Sequence, residues 1–367
     1  MEKIKLSEFG FNILQIESTA ACNMDCSFCP YPLKEDKTSK IDLESIYKIL
    51  DRIDYTEKDF KYVTFSQFNE PLLDRRIFDI LKHCKDKNIP VHFITNGLLL
   101  NKENNVKNLI KYGTNIKISL QILDANKHKD ARGLNLELDR YVQRIIKFCL
   151  EVKKEKNLNV TIDLGCNFND KKLNYYIKKF LGVQIGDPSA PKDLNSSMLM
   201  FSKFLDYFSD ISDKIYKNSL EELKKPEKYF TYNYIKQEGY KICDNIVLKL
   251  KPFFYGRRIS QFYPINDNFN CDSKILGILA DGNVVPCCLA YDDTISLGKI
   301  NEMDLKDILI SGEKFLKNLR TNNLEKHDTC KKCFGEPTKR GVIVRNIWNT
   351  LPYNVKKTFN FFNLTKN

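Results

Sequence analysis

The feature that most restricts this chain is a run of three cysteines on one short segment, Cys22-Asn23-Met24-Asp25-Cys26-Ser27-Phe28-Cys29. Residues 11–18, just before it, alternate apolar and polar side chains and predict a β-strand. Any fold of this chain must therefore hold three thiols together on a loop at a strand end. Structural zinc closes four ligands around one ion, commonly in Cys-x-x-Cys pairs, and no fourth cysteine lies near this loop in sequence. Three thiolates on one loop can instead hold three irons of a 4Fe–4S cube. The fourth iron then stays open to a small chelating ligand.

Strand-like and helix-like segments alternate along the first half. Helices are predicted at 43–53 (capped by Asp42), 73–88, 103–112, 136–154 and 171–181; strands at 62–66, 91–95, 116–120, 160–164 and 183–186. Helix 73–88 carries Ile77, Ile80, Leu81 and Cys84 on one face. Strands separated by helices imply a parallel sheet. The number of units falls short of a full eight-fold barrel, so the expected fold class is α/β, a partial (β/α)6 barrel over residues 1–186. Residues 187–262 change character, rich in Tyr, Phe and Lys, with helices expected at 198–208 and 219–223; they read as a helical insertion near the barrel mouth. A hairpin comes after it, 274–280 and 283–286, turned at Asp281-Gly282. The tail 341–367, with Trp348, Phe359, Phe361 and Phe362, is apolar and basic and is expected to pack on its own domain.

Of the 12 cysteines, Cys84 and Cys149 lie on apolar helical faces and read as small core residues. A second set, Cys271, Cys287, Cys330 and Cys333, brackets the hairpin and ends in a Cys-x-x-Cys; four such thiolates suit zinc or an iron–sulfur cluster alike. Cys288 stands beside one of them and reads as packing, with an alternative ligand or a catalytic hydrogen donor as the weaker readings. The N-terminus lacks an apolar secretory core and no stretch is long and apolar enough to span a membrane. A cytoplasmic protein, its thiols reduced, is the expectation. The net charge of +12 arises from 59 Lys+Arg against 47 Asp+Glu. These lysines are spread over the chain without arginine-rich or aromatic-interleaved stretches, which argues for a solvated basic surface and against nucleic acid. Membrane contact is not expected.

The cysteine loop and the segments after it resemble the radical S-adenosylmethionine superfamily. Phe68-Asn69-Glu70-Pro71, after the second strand, is similar to that family's Gly-Gly-Glu motif, with Phe68 and Asn69 in place of the glycines. Thr95-Asn96-Gly97 matches its turn after the third strand. The resemblance implies a 4Fe–4S cluster on Cys22, Cys26 and Cys29, with S-adenosylmethionine chelating the open iron and yielding a 5′-deoxyadenosyl radical. It implies S-adenosylmethionine contacts from Phe28, Asn69 and Glu70, from Ser119 and Gln121 on the fourth strand, and from Arg132. It also implies a flavodoxin- or ferredoxin-like electron donor. After such a barrel, the second cysteine set resembles a twitch domain, a shortened SPASM domain, over 263–340. That implies an auxiliary 4Fe–4S cluster on Cys271, Cys287, Cys330 and Cys333. The auxiliary spacing is similar to that of 2-deoxy-scyllo-inosamine dehydrogenases, which implies oxidation of a small polar substrate such as a sugar or aminocyclitol. Lys249, Lys251, Arg257 and Arg258 are candidates for an anionic group on it, with a solvated basic face as the equal alternative. The alternative is modification of a ribosomally made peptide. Few residues precede the first strand, so no N-terminal peptide-recognition domain is expected, and this favours the small molecule.

Overall fold

The structure, a computed structural model, describes residues 2–121, 132–155, 157–166, 239–252, 261–336 and 338–350, together with Phe204 and Asp206. Strand β1 (Ile13–Ile16) leads into the cysteine loop. Helix α1 (Leu43–Arg52) starts where the Asp42 side chain accepts from Ser45 N at 2.8 Å, and buries Ile46, Ile49 and Leu50. Then come β2 (Tyr62–Thr64), α2 (Ile77–Asp86), β3 (His92–Thr95), α3 (Glu103–Tyr112), β4 (Asn115–Gln121), α4 (Leu138–Val152) and β5 (Asn159–Cys166). Helix α2 is shorter than its apolar pattern suggests, because Pro71 opens a separate 3-10 turn, Pro71–Leu73, ahead of it.

Ahead of the C-terminal part lies a strand pair, β6 (Tyr240–Cys243) and β7 (Ile246–Pro252). The C-terminal part contains β8 (Ile275–Ile278), β9 (Asn283–Val285), β10 (Gly298–Lys299), α5 (Leu305–Ser311), α6 (Glu313–Arg320), α7 (Asp328–Cys333) and α8 (Lys339–Thr350).

Strands β1 and β2 pair in parallel, as do β3–β4, β4–β5 and β5–β7. A parallel bridge between Val63 and Val91 carries the order from β2 to the start of β3. The mixed α/β class with a parallel barrel-type sheet is thus as expected. Two features differ from the local pattern. Residues 240–252, expected in a helical insertion, form a β-hairpin whose second strand joins the parallel sheet beside β5. Strand β8 pairs in parallel with β1, Ile13 opposite Ile275 through Ile16 opposite Ile278, so the C-terminal hairpin extends the first sheet directly. Both are pairings between segments remote in sequence, which local periodicity does not encode. The helices expected at 171–181 and 219–223, most of that at 198–208, the strand at 183–186, Arg257, Arg258, and Phe359 to Phe362 lie outside the described residues.

Successive strand side chains point to opposite faces. Leu14, Ile16, Val63, Phe93, Ile116, Ile118, Leu120, Ile162 and Leu248 enter the buried core beneath the helices. Gln15, Thr64, Lys117, Ser119, Asp163 and Lys249 occupy the alternate positions and face the other way. The N- and C-terminal parts are tied at several points. Arg52 at the end of α1 makes a two-pronged ion pair with Asp304, at 2.7 and 3.2 Å. Asp304 also caps α5. The Arg320 guanidinium stacks 4.8 Å from the Phe11 ring centroid. Cys84 and Cys149 are buried in the core as expected. No helix among the described residues is long and apolar enough to cross a membrane.

Candidate metal and cofactor sites

The cysteine loop is folded onto itself before any metal is considered. Cys29 N donates to Cys26 O at 3.0 Å. Tyr31 N donates to Cys29 Sγ at 3.4 Å, and the Tyr31 hydroxyl bonds Cys22 through both its N–H and its carbonyl, each at 3.1 Å. Burial pushes the thiols of Cys22 and Cys29 up to about 12, and raises Cys26 as well. The three also oppose one another's ionisation: Cys26 acts on Cys22, and both act on Cys29. Three neutral thiols in one desolvated volume are a ligand set that must shed protons to take up metal.

One chain segment supports this loop from beyond β4. Asp25 N donates to Arg132 O at 3.1 Å. The next residue, Gly133, has φ +69°, and a Cβ there would lie 2.5 Å from Asp25 O. Only glycine allows that approach. The Arg132 guanidinium is buried and donates to Ser119 O at 2.8 Å. Burial works against its charge, but Cys26, Tyr141 and Cys22 outweigh this and hold its pKa up. Ser119 Oγ in turn accepts from Gln121 Nε2 at 2.5 Å, and Gln121 adopts φ 72° at a bulge between β4 and β5. Ser119, Gln121 and Arg132, scattered in sequence, therefore form one connected group against the cysteine loop.

Glu70 is almost completely buried. Its carboxylate accepts from Leu72 N at 3.1 Å, Thr95 Oγ1 at 2.8 Å and Asn96 N at 2.7 Å. Burial is the largest influence and lifts it to about 7 despite these bonds. Glu70 N donates to Ala21 O at 2.9 Å, directly before Cys22. The Asn69 side chain is used locally: it accepts from Gln67 N at 2.9 Å and donates to Phe65 O at 3.0 Å, rigidifying the turn where the expected motif has glycine. Phe28 is partly buried against the core.

The second set also converges. Cys271, Cys287, Cys330 and Cys333 are all raised by burial, with Cys287 and Cys330 pushed up to about 12. After burial, the influences on Cys333 are Cys287, Cys271, Cys330 and Cys288. Cysteines from a loop, a hairpin end and one short helix thus lie near enough to oppose the ionisation of Cys333. Among the described residues, no three Cys, His, Asp or Glu side chains have the spacing of ligands on a single ion. Thiolates on one zinc would lie about 4 Å apart, given Zn–S of about 2.3 Å; a 4Fe–4S cube spreads its four thiolates over a larger figure. Cys288, expected to pack, is instead exposed.

Several residues around these sites carry no sequence motif. Tyr141 on α4 donates to Asn96 O and touches the charge of Arg132. Gln67 Nε2 donates to Ala290 O at 2.8 Å and Cys287 O at 3.4 Å, linking the Glu70 segment to the second cysteine set. Glu17 and Lys34 form a buried ion pair at 2.6 Å. Each of these contacts spans distant segments, so no local signal could have found it.

A cysteine loop at the end of the first parallel strand, a buried glutamate near it and a second group of four cysteines downstream define an α/β parallel-sheet protein with two cysteine-rich candidate metal sites. Residues 16–180 match the family model of the Radical SAM superfamily, and residues 271–334 that of SPASM, an iron-sulfur cluster-binding domain. The chain therefore carries a radical SAM domain joined to an iron–sulfur auxiliary domain, and iron–sulfur clusters and S-adenosylmethionine are the groups these domains imply. An uncharacterised protein of Methanocaldococcus jannaschii is 24% identical over 228 residues, 59% of this chain and 46% of its own length. The match thus spans about half the length of that curated relative. Among solved structures, BtrN in complex with AdoMet and 2-DOIA is 14% identical, covering 93% of this chain and 98% of BtrN with a TM-score of 0.43. Streptococcus suis SuiB is 15% identical over 83% of this chain and 67% of its own, TM-score 0.47. The chain is also similar to anSMEcpe with bound AdoMet and Cp18Cys peptide, 15% identical over 96% and 99%, TM-score 0.47.

Proposed function

We propose that this protein is a radical S-adenosylmethionine enzyme that oxidises a small polar, hydroxyl-bearing molecule such as a sugar or aminocyclitol. Cys22, Cys26 and Cys29 would hold a 4Fe–4S cluster with one open iron, and Cys271, Cys287, Cys330 and Cys333 an auxiliary cluster with none. When bound, the first cluster with S-adenosylmethionine supplies a 5′-deoxyadenosyl radical able to take hydrogen from an unactivated C–H bond. Glu70 and the adjoining backbone would orient the methionine ammonium, while Arg132, held by Ser119 O, supports the loop through Asp25 N.

The observation that carries the substrate class is the polarity of the sheet face away from the helices. Asp163 on β5 is 3% exposed. Its strand neighbours in register are Ser119 on β4 and Lys249 on β7, and Lys117 Nζ lies 3.9 Å from its carboxylate. Across on β1 and β2, Gln15 Oε1 and Thr64 Oγ1 are buried without a hydrogen-bond partner. Buried polar atoms are rarely left unsatisfied. A face supplying a carboxylate, an amide oxygen and a hydroxyl suits a ligand rich in hydroxyl or amino donors, with Lys117 and Lys249 beside it for an anionic group.

The test uses anaerobically reconstituted protein with dithionite, S-adenosylmethionine and a panel of deuterated cyclitols and amino sugars. A substrate should give a product two hydrogens lighter, with one deuterium in 5′-deoxyadenosine per product. Asp163→Asn should weaken substrate turnover without removing iron. No deuterium transfer from any member of the panel, with transfer from a Cα-deuterated peptide run in parallel and solvent hydrogen in its product, would overturn this reading in favour of peptide modification.

A further inference from the structure

Glu17 lies just past the end of β1 and is completely buried. Its two oxygens serve different parts of the molecule. Oε1 accepts from Phe68 N at 2.9 Å. Oε2 accepts from Lys34 Nζ at 2.6 Å and from Ala280 N at 3.3 Å. Phe68 opens the segment that carries Glu70. Lys34 comes soon after the cysteine loop and its side chain is only 6% exposed. Ala280 sits in the turn between β8 and β9, the hairpin that leads to Cys287. One carboxylate thus joins the cysteine loop, the Glu70 segment and the auxiliary hairpin.

A buried ion pair is a poor source of stability, because desolvation offsets its attraction and packed apolar side chains would do as well. What a planar, rigid carboxylate does that an apolar group cannot is fix the positions of two backbone N–H groups from different loops. A second contact lies parallel to it: Gln67 reaches from the Glu70 segment to the carbonyls of Cys287 and Ala290. Its amide oxygen would lie 2.6 Å from a Cβ placed on Gly277 of β8, so the strand has no side chain where the two parts meet.

We propose that Glu17, charge-balanced by Lys34, is a positioning residue that couples occupancy of the S-adenosylmethionine site at Glu70 to the placement of the auxiliary hairpin at residues 279–287. This rests on the cofactor reading above. Glutamine at position 17 would offer one acceptor oxygen where two are used and turn an amide N–H₂ against a backbone N–H or the Lys34 ammonium, so one of the two links must break.

The experiment is hydrogen exchange on the reconstituted full chain, with and without S-adenosylmethionine, read in peptides covering Phe68–Glu70 and 279–287. Binding itself is followed by the change in the electron paramagnetic resonance spectrum of the reduced cluster. In the wild-type protein, S-adenosylmethionine should slow exchange in both segments, by about fivefold or more in the hairpin, the lower end of typical site-to-site coupling. In Glu17→Gln the spectral change and the slowing at Phe68–Glu70 should persist, while the slowing at 279–287 is lost. Should Glu17→Gln not fold, the pair Glu17→Gln with Lys34→Met, which buries no charge, is compared in the same way. Equal slowing of the hairpin in variant and wild type, or slowing confined to Phe68–Glu70 in wild type, overturns the coupling. A wild-type protein whose reduced spectrum ignores S-adenosylmethionine overturns the cofactor reading itself.

Discussion

Asn96 Nδ2 donates to Asn23 Oδ1 at 2.7 Å, joining the turn after β3 to the residue next to Cys22. Through this bond the cysteine loop is registered against the same turn that donates Asn96 N to Glu70. The Asn96 Oδ1 also accepts from Leu98 N at 2.9 Å, so this side chain is committed at both ends. Asn96→Ala should therefore destabilise the metal-free protein by about 2–3 kcal/mol, since it strands a donor and an acceptor. Asn23→Ala, on a partly exposed residue, should cost about 1 kcal/mol. Denaturant unfolding of both variants and the double variant checks this; additive effects would show that the two side chains do not interact.

Glu70 predicts a pH dependence of stability. Its folded value, about 7, lies above the ordinary glutamate value of 4.5 because of burial. The folded state thus holds the proton more tightly than the unfolded one. That contribution is complete below about pH 4.5 and is lost as pH rises through about 7, a fall of about 3 kcal/mol. In Glu70→Gln this part of the profile should be flat. Unfolding curves of metal-free protein across the window, taken as the difference between wild type and variant, provide the measurement; parallel profiles would refute it.

Gly133→Ala tests the support of the cysteine loop. The added Cβ would meet Asp25 O at 2.5 Å in a backbone already at φ +69°. A loss of about 1–3 kcal/mol is expected from the backbone conformation, together with poor iron loading at the first site. Iron content and thermal unfolding read the two effects separately; a variant with full iron content and unchanged melting would show that the loop does not need this approach.

Metal content separates the two cysteine sets. Reconstituted wild-type protein should contain about eight irons, from two four-iron cubes. Replacing Cys22, Cys26 and Cys29 together by Ala should leave about four. Cys330→Ala should weaken the second cluster while preserving S-adenosylmethionine cleavage to 5′-deoxyadenosine. Zinc in place of iron in the wild type, or complete loss of cleavage in a folded Cys330→Ala protein, would contradict this division.

The sequence by itself determined the alternation of strands and helices through β5, the Asp42 cap, the core positions of Cys84 and Cys149, and the two groups of clustered cysteines. These are short-range signals: periodicity, capping chemistry and ligand spacing are written within a few residues of one another. Tertiary structure alone decided that β7 completes the parallel sheet beside β5, that β8 lies against β1, and that Glu17 meets Lys34, Phe68 and Ala280. It also decided that the Asn69 side chain builds its own turn and that Cys288 is exposed. Such contacts depend on which remote backbone segments pair and which polar atoms are left inside once they do. A glutamate at the end of a strand carries no local mark of the three loops that will need its two oxygens.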